Sequence, residues 1–493
     1  MAAPSFARLA DMVAAHAVAR PGSVALSFEG RDLTYGELAG ACERLASRLW
    51  HGWGVRQGDR VAWLGGNHTG QLELLFALAR IGAILLPLNF RLAPSEWDAL
   101  MADCGPAHLV YDAGWAGPAQ QLAARHHAIP HAVDELEEPG DWERAPAAGE
   151  PSSPVLLVYT SGTTRRAKAA VHTQANLLAN MAIASAVQEM TPQDVVATLL
   201  PLFHVGGLCI QTLPALYSGA RVILHPRFAA DAALDCFVRD RPTLTLLVPA
   251  TMKALLDHPG WPGADLSSLR AVWAGSSLLP APLVKAFHAR GLPVCNVYGA
   301  TETGPFSIAL PPRHAVSRAG SCGWPAPGVE VRLLNPKDSV GELLVRGPNV
   351  VARYWPDQPA CDAHGWFHTG DLASMAPDGS FTVAGRAKDV IISGGENIHP
   401  AEIESVLVEH PGVAECAAFG VPDEEWGEVV AVAIVPRAGD TVSEAELRLH
   451  LAGRLARYKL PRRWVWTDAL PKTALGKVQR HALVHLVNRA PSS

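Results

Sequence analysis

Tyr159-Thr-Ser-Gly-Thr-Thr-Arg-Arg-Ala-Lys168 follows the apolar run Val155-Leu-Leu-Val158. The run reads as a short buried strand. Ser161, Gly162, Thr163 and Thr164 then carry hydroxyls or no side chain, and Arg165, Arg166 and Lys168 add positive charge. Gly162 lets the backbone approach a ligand and turn its N–H groups toward it. Small donors plus cations after a strand suit a loop that holds a polyphosphate. It is not a Walker A loop, because G-x-x-x-x-G-K-[ST] is absent. Taken alone, such a run is more often an ordinary polar turn with a basic tip, and it is the rest of the chain that favours the phosphate reading.

Working outward, strand, helix and strand alternate. Asp59–Leu64 reads as a strand, Leu72–Ile81 as a helix and Ala83–Leu88 as a strand. Val24–Phe28 and Arg31–Thr34 form a hairpin, and Thr34-Tyr-Gly-Glu37 opens a helix with a capping box. Downstream, His172–Met190 reads as a long helix. Strands follow at 195–200, 221–224, 244–248, 269–273 and 294–298, with a helix near 208–216. This βαβ rhythm predicts sheets of parallel type with helices on their faces. Ligands of such sheets sit beyond the carboxyl ends of strands. Those ends carry Pro201-Leu-Phe-His-Val-Gly-Gly207, Ala274-Gly-Ser-Ser277 and Tyr298-Gly-Ala-Thr-Glu302. From Val329 to Gly385 the texture shifts to short alternating strands, a small β-rich subdomain holding Trp366-Phe-His-Thr-Gly-Asp371. An α+β rhythm closes the chain, with a lysine-tipped turn at Pro471–Lys477. The expected architecture is therefore α/β. A large N-terminal domain, residues 1–385, precedes a small mobile α+β domain, residues 386–493.

At 493 residues, one core is not enough. A net charge of −6 with 18% charged residues argues against nucleic acid as the partner. The eight cysteines are scattered without a C-x-x-C pair, so reduced thiols in a cytoplasmic protein are expected. No signal peptide and no transmembrane segment is read. The helices allow a homodimer but specify no interface.

Seven stretches together resemble the adenylate-forming superfamily of acyl-CoA synthetases, peptide-synthetase adenylation domains and luciferase. They are Tyr159–Lys168, Pro201–Gly207, Tyr298–Glu302, Trp366–Asp371, Gly385–Asp389, Ser393–Glu396 and Pro471–Lys477, in the family's order. The resemblance implies that a carboxylate attacks Mg·ATP to give acyl-AMP and pyrophosphate, after which coenzyme A displaces AMP. It implies that Thr160, Ser161, Gly162, Thr163, Thr164 and Lys168 cradle phosphates. Thr301 would meet the α-phosphate and Glu302 would hold Mg²⁺. Tyr298 would stack on adenine, and Asp371 would bind the ribose with Arg386 nearby. Lys477 would bridge carboxylate and α-phosphate. Ser393, Gly394, Gly395 and Glu396 would flank the CoA tunnel after rotation about Lys388, and His204 would gate it. The acyl pocket would be lined by Val205, Gly206, Ala274, Gly275, Ser276, Gly299 and Ala300. Arg165, Ala167 and Ala169 stand where the family has Gly, Pro and Gly. No basic residue is expected in the acyl pocket to pair a second carboxylate, which disfavours dicarboxylic acids. By analogy with the family's breadth a medium- or long-chain fatty acid is the expected substrate. An aromatic acid of benzoate or cinnamate type, a carrier-protein acceptor and a loop-impaired acyl-AMP binder remain as alternatives.

Overall fold

The computed structural model describes residues 6–160, 167–275, 279–337, 339–393, 396–423, 426–452, 454–473 and 477–487. Two large mixed sheets dominate the N-terminal part. The first runs in the order Gln358–Pro359, Arg353–Tyr354, Lys168–Thr173, Pro154–Thr160, Ile84–Leu88, Arg60–Leu64, His108–Tyr111, Ile129–Ala132. Its five strands from Pro154–Thr160 to Ile129–Ala132 are parallel. The second has nine strands, with Val24–Phe28, Arg221–Leu224, Val195–Thr198, Leu244–Leu247, Ala271–Gly275 and Val294–Tyr298 parallel in that spatial order. The helix Thr69–Ile81 is buried along nearly its whole length, and its core joins Val61, Trp63 and Leu85 of one sheet to Leu26, Val196 and Trp273 of the other. A helix buried on nearly every side is the kind that two sheets can enclose.

A four-stranded antiparallel sheet follows, Glu330–Lys337, Val340–Arg346, Phe367–Met375 and Phe381–Arg386. The small C-terminal domain has its own sheet. The strands Val413–Asp423 and Gly427–Pro436 form its centre, Arg463–Trp466 pairs parallel to the latter, and Pro400–Leu407 packs on the group.

The α/β expectation and the capping box hold; the Thr34 hydroxyl accepts from Glu37 N–H and the Glu37 carboxylate accepts from Thr34 N–H. Several boundaries differ. The long helix from His172 is instead the strand Lys168–Thr173, then the helix Gln174–Val187. That strand pairs in register with Pro154–Thr160, from Leu156↔His172 to Thr160↔Lys168. Thr173 caps the helix by accepting from Asn176 N–H. The two strands that flank residues 161–166 are therefore antiparallel neighbours. The region 208–216 breaks into Val205–Gly207, a wider turn Leu208–Thr212 and Leu213–Ser218, with Pro214 at the last start. Helices Pro94–Cys104 and Arg480–Val487, and the strands His108–Tyr111 and Phe367–Met375, add to the elements read from sequence.

All eight cysteines are free; six are buried and Cys361 and Cys416 partly so. Burial raises every one of their pKa values, Cys104 and Cys322 to about 11 and Cys236 and Cys295 to about 12. Among the described residues no helix is long and apolar enough to cross a membrane.

Candidate active site

Gly299 follows the strand Val294–Tyr298 at once, and the chain then turns through Thr301–Thr303. Tyr298 points toward the antiparallel sheet. Its hydroxyl donates to Asp371 Oδ2 at 2.6 Å. Arg386 Nε reaches Asp371 Oδ1 at 2.6 Å, and Arg386 Nη1 donates to the Thr369 carbonyl at 3.1 Å. Asp371 and Arg386 are brought together by cross-strand pairing in adjacent strands. Burial raises the Asp371 pKa, and Arg386, the Tyr298 hydroxyl and Lys477 oppose it. Each carboxylate oxygen keeps a second lone pair for another donor.

Glu302 sits on the short turn Thr301–Thr303 and is 8% exposed. Its Oε1 accepts from the Tyr354 hydroxyl at 2.9 Å. Lys168 lies over the Tyr354 ring, its Nζ 5.1 Å from the centroid. Thr160 Oγ1 donates weakly to the Lys168 carbonyl at 3.4 Å, closing the hairpin base.

Lys477 belongs to a turn tied by Thr473 N–H to the Lys477 carbonyl at 2.8 Å and by Lys477 N–H to Thr473 Oγ1 at 3.2 Å. The surrounding protein lowers the lysine's pKa, and Arg386 and Lys388 lower it further, while Asp371 and Glu302 raise it. The side chain nevertheless keeps exposed surface. A group crowded by protein yet open to water stands in a cleft. The Lys477 charge also reaches His204, whose pKa is pushed down to about 4 chiefly by burial. His204 Nδ1 accepts from Gly206 N–H at 3.0 Å, so the neutral ring carries its proton on Nε2.

The structure thus gathers Tyr298, Glu302, Asp371, Arg386, His204 and Lys477 around one cleft. The acyl-pocket set divides. Val205 and Ala274 lie inside packed cores, Gly206 is buried, and Gly299 and Ala300 keep some exposure. A Cβ on Gly275 would stand 2.4 Å from the Val297 carbonyl oxygen, and one on Gly299 would stand 1.6 Å from that of Pro305. Both glycines are therefore demanded by chain packing and are no sign of room for a long chain. Ser393 and Glu396 face each other across a turn of the small domain, with Ser393 also paired to Gly427. Among the described residues neither is hydrogen-bonded or ion-paired to Tyr298, Glu302, Asp371, Arg386, His204 or Lys477. Lys388 lies on the short turn Ala387–Asp389. Ser161, Gly162, Thr163, Thr164, Ser276, Gly394 and Gly395 lie outside the described residues.

Sequence reading missed Tyr354 and Thr369. Thr369 Oγ1 accepts from Asp371 N–H at 3.0 Å and donates to the Leu343 carbonyl at 2.7 Å, fixing the strand where Asp371 stands. The only signal for it was its place in the Trp366–Asp371 stretch.

Among the described residues no three His, Cys, Asp or Glu side chains gather as a metal cluster. A single buried carboxylate with one oxygen engaged still fits Mg²⁺, which binds through one or two carboxylates plus substrate phosphates and keeps its waters.

The AMP-binding enzyme profile matches residues 13–355, and the AMP-binding enzyme C-terminal domain profile matches 402–477. An indoleacetate–CoA ligase of Aromatoleum aromaticum is 44% identical, with 98% of each chain covered. A feruloyl-CoA synthase of an Amycolatopsis species is 41% identical, covering 93% of this chain and 94% of that one. The solved o-succinylbenzoate CoA synthetase of Bacillus subtilis, in complex with its acyl-adenylate, superposes with a TM-score of 0.88 at 32% identity, covering 96% and 97%. The chain belongs to the AMP-binding enzyme family and is an AMP-forming CoA ligase.

Proposed function

We propose that this ligase activates an aromatic carboxylic acid, an arylacetate or a hydroxycinnamate type, and transfers it to coenzyme A. The observation that carries the reading is 44% identity, over nearly the full length, to a ligase named for indoleacetate. The feruloyl-CoA synthase likeness supports the same substrate class. The fatty acid expected by analogy with the family's breadth gives way to the aromatic alternative, which these two likenesses support better.

In the first step a substrate carboxylate oxygen attacks the α-phosphorus of ATP and pyrophosphate leaves. Both reactants are anionic, so the protein's contribution is positioning and neutralisation. Lys477 supplies a cation between carboxylate and α-phosphate, with Thr301 beside it. Asp371 accepts from the ribose hydroxyls while Arg386 and Tyr298 hold it in place, and Tyr298 offers its ring face to adenine. Lys168 and the loop 161–164 meet the β- and γ-phosphates. Glu302 would hold Mg²⁺, which when bound withdraws charge from the phosphates. In the second step the CoA sulfur attacks the acyl carbonyl and AMP leaves. Residues 386–493 rotate about Lys388 for that step, withdrawing Lys477 and bringing Ser393–Glu396 to the tunnel, where neutral His204 gates entry.

The test is thioester formation, by mass, with Mg·ATP, CoA and parallel panels of aromatic and C6–C18 fatty acids. Aryl-CoA products at kcat/KM well above every fatty acid support the proposal. A fatty acid as the best substrate overturns it. Adenylate-analogue binding without turnover on any acid would favour an impaired phosphate loop.

A further inference from the structure

Tyr354 is the one described hydrogen-bond partner of the Glu302 carboxylate, and the same ring underlies the Lys168 ammonium. Its position is set from two sides. Tyr354 pairs with Ala170 of the hairpin strand, and Trp355 N–H donates to the Ala169 carbonyl at 2.8 Å. On the other side Val351 N–H donates to the Glu302 carbonyl at 2.8 Å, and the buried Asn349 amide donates to the Thr303 carbonyl at 2.5 Å and the Phe306 carbonyl at 3.2 Å. Residues 349–355 therefore run as a strap from the Thr301–Thr303 turn to the strand that closes the phosphate hairpin. Lys168 and Glu302, of opposite charge, form no ion pair with each other among the described residues; one lies over the Tyr354 ring and the other accepts from its hydroxyl.

We propose that Tyr354 is a positioning residue of the adenylation step, one that aims the Glu302 carboxylate through its hydroxyl, seats Lys168 on its ring face, and keeps the two from neutralising each other before Mg·ATP arrives. The inference rests on the reading that Glu302 serves Mg·ATP. A phenol does this where a carboxamide or a charged group would not. The hydroxyl is a single directed donor to a carboxylate, and the ring's negative face attracts an ammonium without accepting a proton.

The experiment compares wild type, Tyr354→Phe, Tyr354→Leu and Glu302→Gln as full-length proteins. Pyrophosphate exchange is titrated with Mg²⁺ and with ATP, and thioester formation is measured separately from supplied acyl-adenylate. Tyr354→Phe keeps the ring and loses only the hydroxyl, so it should raise the half-saturating Mg²⁺ and the KM for ATP about tenfold, the worth of a hydrogen bond to a charged group. Tyr354→Leu should exceed that, because Lys168 loses its seat and can pair with Glu302. Both should leave thioester formation from acyl-adenylate within about twofold of wild type, the margin ordinary for a site outside that step. An unchanged Mg²⁺ and ATP response in Tyr354→Phe, with Glu302→Gln shifting both, overturns the Tyr354 role alone. An unchanged response in Glu302→Gln overturns the Glu302 reading and the strap's purpose with it. Equal loss in both half-reactions would make Tyr354 merely structural.

Discussion

Two charged centres share the cleft and are built in opposite ways. Asp371 is held by Arg386 on one oxygen and by the Tyr298 hydroxyl on the other, within a sheet whose strands fix all but Tyr298. Lys477 stands on a turn of the small domain, and among the described residues its ammonium makes no ion pair or hydrogen bond with a carboxylate. The first centre is satisfied within the protein and keeps lone pairs for a further donor. The second keeps its charge uncommitted, in a surrounding that lowers its pKa. Recognition tolerates groups that are already paired; stabilising a transient charge requires a cation that is not.

The comparison predicts different signatures. Lys477→Ala should slow adenylation by about 10²–10³-fold, the usual cost of removing one transition-state donor. Thioester formation from supplied acyl-adenylate should be spared, and equal loss in both would erase the distinction between the centres. Asp371→Asn should raise the KM for ATP about 10- to 100-fold with a smaller change in kcat, since a hydrogen bond to a charged acceptor is lost in ground and transition states alike. A pure kcat effect would place Asp371 with Lys477.

A third prediction concerns pH. In the role proposed for it Lys477 acts as an ammonium, so the adenylation rate should fall as pH rises through a pKa lying below the ordinary 10.5. Arg386 depresses that pKa, so Arg386→Gln should move the alkaline limb upward. Asp371 raises it, so Asp371→Asn should move the limb downward. Pyrophosphate-exchange profiles decide the point, and a limb that ignores both substitutions does not belong to Lys477.

The smallest effect sharpens the contrast between paired and unpaired groups in the scaffold. His172, on the strand Lys168–Thr173, is fully buried, and neither ring nitrogen has a hydrogen-bond partner among the described residues. Burial pushes its pKa to about 4. The unfolded ring titrates near 6.5, so below that pH the unfolded chain binds the extra proton. The neutral ring's contribution is complete above about 6.5 and is lost as pH falls toward 4. His172→Leu should raise stability at pH 7 by about 1–2 kcal/mol, the cost of an unsatisfied buried polar group. It should also flatten the loss of melting temperature between pH 7 and 5. A destabilised variant with an unchanged pH slope would contradict this.

What was legible in the sequence was local. Val294–Tyr298 carries an apolar run bounded by Pro293 and Gly299, and it is a strand with those bounds. The Thr34–Glu37 pattern encodes both halves of its cap within four residues. The site stretches could be read because each places its chemistry in one short run. Lys168–Thr173 could not be read as a strand. Lys-Ala-Ala-Val-His-Thr has no alternation, and its identity comes from the partner strand across the hairpin. Tyr354 was invisible for a similar reason, since its partners lie 52 and 186 positions away and no local pattern encodes such a meeting. The pocket residues show a third limit. Gly275 and Gly299 are expected as pocket lining, and the sequence does not show that a Cβ at either would meet a neighbouring carbonyl. Periodicity reports burial, and it is silent on what a glycine makes way for.

The eight cysteines bear on how this ligase can be handled at the bench. Every one is unpaired, none is fully exposed, and each is held protonated at neutral pH by its surroundings. Thiolates are the species that exchange with disulfides and colour thiol reagents. In a reaction mixture the cosubstrate's sulfhydryl is therefore the dominant reactive one. Disulfide reagents such as dithiobis-nitrobenzoate should count CoA consumption against a low protein background, and storage in oxidised CoA should leave few mixed disulfides on the chain.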